Sequence, residues 1–125
     1  MDALTPATTC FSWPPAGEPE LSWPREDRLE SGRPRRETWS RIEADANGAR
    51  TLSSGHWRCE PGRWRIVFGP QQQEVFTVLS GRCRIHDRQG GWQEAGPGDS
   101  LHIPAGFEGS FEVLETLCKS YVILE

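Results

Sequence analysis

Alternating apolar and polar residues fill the chain from about residue 37 onwards and predict a succession of short β-strands. In one run, Trp64, Ile66 and Phe68 share a face, while arginines lie on the other face. Another run, residues 75–79, is β-branched and aromatic and ends at a Ser-Gly turn. About nine such runs follow at close spacing without a helical period. The pattern favours a closed all-β barrel or jelly roll over an open sheet.

Residues 1–36 have a different character, because they hold six of the ten prolines and show no regular period. Proline has no amide proton, so these residues cannot form a central strand. We therefore predict an extended Pro-rich N-terminal arm, residues 1–36, followed by a barrel domain, residues 37–125. Large apolar side chains would anchor the arm on the barrel or on a partner subunit: Phe11, Trp13 and Trp23. A disordered tail is the alternative.

Two short motifs stand out within the predicted barrel. The first has a glutamate, six residues and a glycine, at Glu74 and Gly81. The second has a glycine, five residues, a proline, one residue and a glycine, at Gly98, Pro104 and Gly106. Together they resemble the paired motifs of the cupin superfamily. This resemblance implies a cupin (RmlC-like) jelly-roll barrel.

Further segments make the resemblance narrower. Residues 55–64, 103–107 and 119–123 are similar to small single-domain cupins related to ureidoglycine aminohydrolase and to an ethanolamine-utilisation protein. The resemblance covers about residues 51–125. The first relative implies hydrolysis of a C–N bond in a ureido or amino-acid-like substrate, and the second implies a role related to acetate or phosphate.

The resemblance also indicates where a cupin metal would be held. Metal-binding cupins use two histidines and the glutamate of the first motif, and one histidine of the second. In this chain the histidine positions fall at Phe68, Pro70 and Gly109, so only Glu74 remains. A transition metal needs three or four converging donors, and one carboxylate cannot hold it. We therefore predict no cupin metal and no other cofactor.

The chain has three histidines, and one of them offers an alternative metal site. If His102 points inward, a divalent ion could be held by Glu74 with His102, and Cys83 could add a thiolate. His86 shares its face with arginines, and His56 alternates with charged residues. Both are therefore expected to be solvated.

Glu74 shares a face with Phe76 and Val78, which predicts that its carboxylate points into the barrel. A buried carboxylate without a cation favours its protonated form, whereas a partner such as Lys119 favours the ionised form. Lys119 and Tyr121 share a face of the last strand. We predict Glu74, Lys119 and Tyr121 as the candidate catalytic residues, with Glu74 as general base. The alternative is a purely structural ion pair between Glu74 and Lys119.

Aromatic side chains would wall the cavity around these polar groups. A cavity of this kind suits a small polar or carboxylated metabolite. The predicted substrate-binding residues are Trp57, Trp64, Phe68, Phe76, His102 and Phe111. Whether the chain is an enzyme stays open at this point, since a non-catalytic binding or assembly module with the barrel as scaffold is a second hypothesis that the fold also allows.

Composition limits the partners and the compartment. The net charge of −4 gives no reason to expect binding to nucleic acid or to an anionic membrane. No apolar run approaches the roughly 20 residues of a membrane-spanning helix, and the first residues do not resemble a secretory signal. The four cysteines have no CxxC spacing, so we expect reduced thiols in a cytoplasmic protein: Cys10, Cys59, Cys83 and Cys118.

Residues 75–79 and the last predicted strand, residues 117–124, are substantially apolar on both faces. One face of each would fill the barrel, so the other face would need a cover from outside. A second copy of the chain is the simplest way to cover these outward apolar faces, and we therefore predict a homodimer.

Overall fold

A computed structural model describes residues 6–125 of the chain. Nine strands are present in this part, together with one short 3-10 helix at Glu26–Arg28. The strands are β1 (Glu20–Ser22), β2 (Leu29–Ser31), β3 (Arg36–Asp45), β4 (Thr51–Cys59), β5 (Gly62–Val67), β6 (Gln73–His86), β7 (Trp92–Ala95), β8 (Ser100–Ile103) and β9 (Glu108–Leu124). The prediction of an all-β fold is confirmed.

The long strand β9 is central to the sheet, because it pairs with other strands along both of its edges. It pairs antiparallel with β6 along one edge, from the register Gln73↔Leu124 to His86↔Ser110. Along its other edge, the C-terminal half pairs with β4 and the N-terminal half pairs with β5. The remaining strands extend these pairings, with β8 and β7 on the far side of β6 and β3 beyond β4. The sheet thereby curls into two layers, as in a jelly roll.

The sequence pattern predicted a strand at residues 75–79 that ends at a Ser-Gly turn and a last strand at residues 117–124. The structure instead shows β6 and β9 as longer strands, each continuous through an irregular register in its middle. Gly81 makes this irregularity possible. Its φ of 85° is in the left-handed region, and a Cβ there would lie 2.1 Å from the carbonyl oxygen of Thr116. Only glycine allows the two strands to remain paired at this bend.

The interior of the barrel is apolar and strongly aromatic. Inward side chains of β4, β5, β6 and β9 interleave there, as the alternating pattern predicts. Its buried members include Cys59, Trp64, Ile66, Phe76, Val78, Cys83, Ile85, Ile103, Phe111, Val113, Leu117 and Tyr121. This packing fixes the backbone positions from which the polar residues project.

Two parts of the predicted arm are strands at the edges of the sheet. β1 pairs with β3, and β2 pairs with β5. Further upstream, the rings of Phe11 and Trp13 lie 5.5 and 5.6 Å from that of His56. Trp23 is 39% exposed, and the Arg33 guanidinium lies 5.1 Å from its ring centroid. The arm thus contacts the barrel of the same chain through residues 11–17 and through β1 and β2, while residues 1–5 are outside the described part.

Within residues 6–125, no helix is long and apolar enough to cross a membrane.

Candidate functional site

An open cavity of about 350 Å³ enters the barrel. Four of the predicted aromatic wall residues line it: Trp57, Trp64, Phe68 and Phe111. The three predicted catalytic residues line it as well: Glu74, Lys119 and Tyr121. Phe76 lies behind Lys119 in the core, where it is 1% exposed. The fold therefore brings polar groups and aromatic walls into one cavity, as a ligand site requires.

A buried ion pair lies inside this cavity. The Lys119 ammonium donates to Glu74 Oε2 at 2.7 Å, and the side chains are only 5% and 8% exposed. The register explains the contact, because Lys119 is opposite Val78 while Glu74 is four residues earlier on the same neighbouring strand. Both side chains face the interior, so the lysine side chain, whose ammonium lies over the Phe76 ring, and the Glu74 side chain together span the offset. The carboxylate and the ammonium neutralise each other where neither is well hydrated.

Three aromatic rings enclose the ammonium. Its nitrogen lies 4.3 Å from the ring centroids of Trp57 and Phe76 and 4.8 Å from that of Phe111. Trp64 stacks on Phe111, with 5.1 Å between centroids and 9° between planes. Aromatic faces attract a cation, most strongly where water is excluded. The rings therefore offset part of the desolvation cost of Lys119 and hold its position.

Tyr121 contributes a phenol that remains protonated. Its side chain is 5% exposed, and burial is the largest cause that raises its pKa. A hydrogen bond with Ser40 opposes this effect, while the negative charges of Glu74, Glu43 and Glu20 raise the pKa further. A protonated phenol beside an ionised carboxylate can donate a hydrogen bond to a ligand and accept another.

The rim of the cavity was not found from the sequence. It includes Glu20, Ser40, Glu43 and Arg36. Glu20 and Arg36 belong to the predicted arm, although Arg36 is also the first residue of β3. Arg36 donates from Nε to Ser22 Oγ at 3.1 Å and from Nη2 to the Trp23 carbonyl at 3.0 Å. The alternation in β3 could have predicted part of this rim. Trp39 is on the outer face of the strand, so its polar neighbours Thr38 and Ser40 face inward.

Arg36 also connects the rim to the aromatic wall. Its guanidinium carbon lies 5.7 Å from the ring centroid of Trp64. Burial lowers the pKa of Arg36 from its ordinary value. A guanidinium has such a high ordinary pKa that the side chain stays charged at neutral pH. It therefore places a fixed positive charge at the mouth of the cavity.

The donor set does not fit the customary cupin metal. Phe68 and Pro70 offer no ligand, and Gly109 has no room for one, since a Cβ there would lie 1.9 Å from the His86 carbonyl oxygen. Glu74 is engaged by Lys119. Among residues 6–125, no group of three or more His, Cys, Asp or Glu side chains is arranged to hold a metal ion. The resident cation beside Glu74 is instead the lysine ammonium.

The inward orientation considered for His102 is wrong. Its side chain is exposed on the outside of β8, where Nε2 lies 3.0 Å from Gln73 Oε1, and it does not line the cavity. A substrate-binding role in the cavity, and a metal site shared by Glu74 and His102, are therefore both excluded by geometry. Cys83 is fully buried, and desolvation raises its pKa to about 11, so it offers a thiol rather than a thiolate.

The expectation that His56 and His86 are solvated is also wrong. His56 is 4% exposed and lies under the arm. His86 is largely buried, and its Nε2 lies 2.8 Å from Glu112 Oε1. The rings that cover His56 come from the arm, which is far away in sequence. His86 contacts the distant Glu112 and also the nearby Trp92, whose ring centroid lies 5.7 Å from its own across the β6–β7 pairing.

Comparison with known proteins identifies the family and the fold of the chain. Residues 47–121 match the family model described as the EutQ-like cupin domain. Among solved structures, a DUF861 protein of Pseudomonas syringae pv. tomato superposes with a TM-score of 0.71 and 20% identity, over 83% of this chain and 44% of that one. A putative ethanolamine utilization protein Q of Salmonella typhimurium gives 0.62 and 16%, over 86% and 97%. The predicted cupin barrel is thereby confirmed.

Curated sequence relatives carry a different name. A pyrimidine/purine nucleoside phosphorylase of Burkholderia orbicola is 39% identical over 53 residues, which is 42% of this chain and 50% of that protein. A protein of the same name from Burkholderia multivorans is 36% identical over an alignment of equal length. The chain thus spans about half the length of these relatives.

Proposed function

The chain belongs to the EutQ-like cupin family, and we propose that it binds a small polar metabolite in its barrel without the customary cupin metal. The observation that carries this proposal is the Lys119–Glu74 pair, which is 2.7 Å long and lines an open cavity. A purely structural pair could lie anywhere in the core. This pair instead lies beside the phenol of Tyr121, where a ligand can reach all three groups.

Each polar group has a distinct role in the proposal. The Lys119 ammonium has three N–H donors and uses one on Glu74, so another can bind a ligand oxygen. Glu74 is the candidate general base, and Tyr121 is a hydrogen-bond donor. Trp57 and Trp64 supply flat apolar walls. A ureido or amino-acid-like ligand, the class suggested by the resemblance to ureidoglycine aminohydrolase, presents oxygens and amines that fit these groups.

A thermal-shift screen against ureides, amino acids, short carboxylates and nucleosides tests the proposal. We expect at least one compound to raise the melting temperature of the native chain. The Glu74→Gln variant keeps the side-chain volume and should remain folded, although less stable because the buried Lys119 ammonium loses its counter-ion, and it should lose that response. Glu115→Gln, an exposed change on the same strand as Lys119, should keep it. If no compound shifts any of the three proteins and Glu74→Gln only melts earlier, the pair is structural and the proposal fails.

A second candidate is nucleoside phosphorolysis, favoured by the name of the Burkholderia relatives. In this reaction a phosphate oxygen forms a bond to C1′ of the ribose, and the glycosidic C–N bond breaks with its electron pair leaving on the base. Trp57 and Trp64 could stack against a planar base. Incubation with inorganic phosphate and single nucleosides, followed by chromatography for free base, decides this candidate.

The non-catalytic alternative is a binding or assembly module on a dimeric scaffold. Its support is an exposed apolar patch on the outer face of β6 and β9, where Val75, Leu79 and Val122 are 48%, 36% and 45% exposed. We propose that a second copy of the chain covers this patch.

A cytoplasmic location is also part of the proposal, supported by free thiols at Cys59, Cys83 and Cys118.

A further inference from the structure

We propose that His56 is a pH-sensitive latch, which holds residues 11–17 of the arm on the outer face of the barrel while neutral and releases them when protonated. His56 is on β4, on the face opposite to the cavity residue Trp57. The latch is therefore separate from the proposed ligand site. It concerns the attachment of the N-terminal segment to the fold.

The arm covers His56 with aromatic rings. Phe11 meets the imidazole edge-on at a centroid distance of 5.5 Å, and Trp13 does so at 5.6 Å. Trp13 also packs edge-on against Trp39, the cross-strand neighbour of His56, at 6.2 Å. These contacts leave His56 only 4% exposed. The imidazole is thus the polar centre of an otherwise aromatic contact between arm and barrel.

Two hydrogen bonds hold the next part of the arm. Trp39 Nε1 donates to the carbonyl of Gly17 at 3.0 Å, and Arg41 Nη2 donates to the carbonyl of Ala16. Both donors are on β3, beside His56. The docked position of residues 11–17 therefore depends on a small set of contacts at one site, and a change in the charge of that site affects all of them.

The surroundings of His56 oppose its protonation. Nδ1 is buried and has no hydrogen-bond partner among the described residues. The nearby charges are Arg41 and Arg58, and the latter is paired with Glu37. No carboxylate of residues 6–125 lies within 4.0 Å of a ring nitrogen of His56. An imidazolium there would have a second N–H without an acceptor, and a guanidinium as neighbour.

Because the pKa of His56 differs between the docked and the released arm, docking of the arm depends on pH. Burial first, and the charge of Arg41 second, lower the pKa of His56 below its ordinary value of 6.5 while the arm is docked. After release both ring nitrogens reach water, so the effect of burial is lost and the pKa of His56 rises towards its ordinary value, although Arg41 on β3 remains nearby. The released state therefore binds the proton more tightly, and docking weakens as pH falls below about 6.5. Between the two pKa values, the docking equilibrium falls by up to about tenfold per pH unit.

Cys10 provides a selective reporter of this release. It is the exposed cysteine of the described residues, whereas Cys59, Cys83 and Cys118 are buried. A nitroxide attached to Cys10 in the full chain should be less mobile at about pH 8, where the adjacent Phe11 is docked, than at about pH 5, as measured by electron paramagnetic resonance. Circular dichroism at both pH values verifies that the barrel remains folded.

Two variants separate the latch from general acid effects. His56→Phe keeps a ring in the same place but cannot be protonated, so its label should have the same restricted mobility at both pH values. His102→Gln, a change at an exposed histidine, should release the arm as the native chain does. The proposal is overturned if the native label has the same mobility at both pH values, or if His56→Phe releases its arm equally.

A reciprocal measurement covers the case in which His56→Phe does not fold. Trp13→Ala removes one of the covering rings, so the pKa of His56, measured by nuclear magnetic resonance, should move up towards 6.5 relative to the native chain. An unchanged pKa would show that the arm does not control the imidazole, and the latch would be excluded.

Discussion

At the scale of single residues, the Glu74–Lys119 pair makes the most direct prediction. Lys119→Met keeps the length of the side chain but leaves a buried carboxylate without its cation. Breaking such a pair costs about 3–5 kcal/mol of unfolding free energy, because the remaining charge is uncompensated. The double variant Glu74→Gln, Lys119→Met removes both charges and should recover much of that loss.

Urea denaturation of the single and double variants measures this coupling. Arg88→Met, which breaks the Arg88–Glu108 pair on the surface, is the matched control. Its ion pair is exposed and screened by water, so its loss should have little effect. A double variant as unstable as Lys119→Met alone would show that packing around the lysine stem, rather than charge compensation, determines the loss.

Cysteine reactivity is a second prediction at this scale. Burial raises the pKa of Cys59 to about 12 and that of Cys83 to about 11, and Cys118 is 6% exposed. Thiolates are the reactive form, so these thiols should be inert at neutral pH. Titration of the native chain with a chromogenic disulfide should modify Cys10 alone, and denaturation should release the other three of the four thiols. Two fast thiols would contradict the packing described here.

At the scale of elements, the bend where β6 crosses β9 depends on Gly81. Gly81→Ala places a methyl group against the Thr116 carbonyl and forces a left-handed φ on alanine. We expect a loss of about 2 kcal/mol or more in unfolding free energy. Gly69→Ala is the control, because its Cβ would meet nothing within 4 Å and its φ is not positive. Equal melting temperatures for the two variants would contradict the role of Gly81.

The strands also show which structural features the sequence pattern could predict and which it could not. Alternation predicted the inward faces of β5, β6 and β9 correctly, including Glu74 and Lys119, because side-chain direction has a strict period of two. It did not predict that β9 is continuous. Glu115 and Thr116 are exposed where the strand passes from one layer to the other, so the local pattern there resembles a turn.

Only those residues of the site that belong to the barrel strands were predicted, because the sequence pattern is local. Glu74, Tyr121 and the aromatic walls belong to strands that a local pattern can identify. The rim residues Glu20 and Arg36 depend on how the arm docks, which is a contact between segments remote in sequence. The aromatic cover of His56 and the Glu112 partner of His86 are contacts of the same kind, and for this reason the burial of the two histidines was missed.

At the scale of the whole molecule, the exposed patch of Val75, Leu79 and Val122 predicts self-association. Analytical ultracentrifugation should give twice the chain mass of 14.1 kDa. Val122→Lys places a charge in the middle of the patch and should yield the monomer, because burying an unpaired charge in an interface is costly. Leu21→Lys changes an exposed apolar residue on β1 and should leave the mass unchanged. A native chain that sediments as a monomer would exclude the proposed dimer.

The tryptophans in the cavity wall have an optical consequence. The indole of Trp57 lies 4.3 Å from a positive charge and that of Trp64 is stacked on a phenyl ring, and both border the cavity. Indole emission responds to nearby charge and to the displacement of water. A compound that enters the barrel should therefore change the intrinsic fluorescence of the unlabelled protein, which gives every candidate ligand a direct binding isotherm.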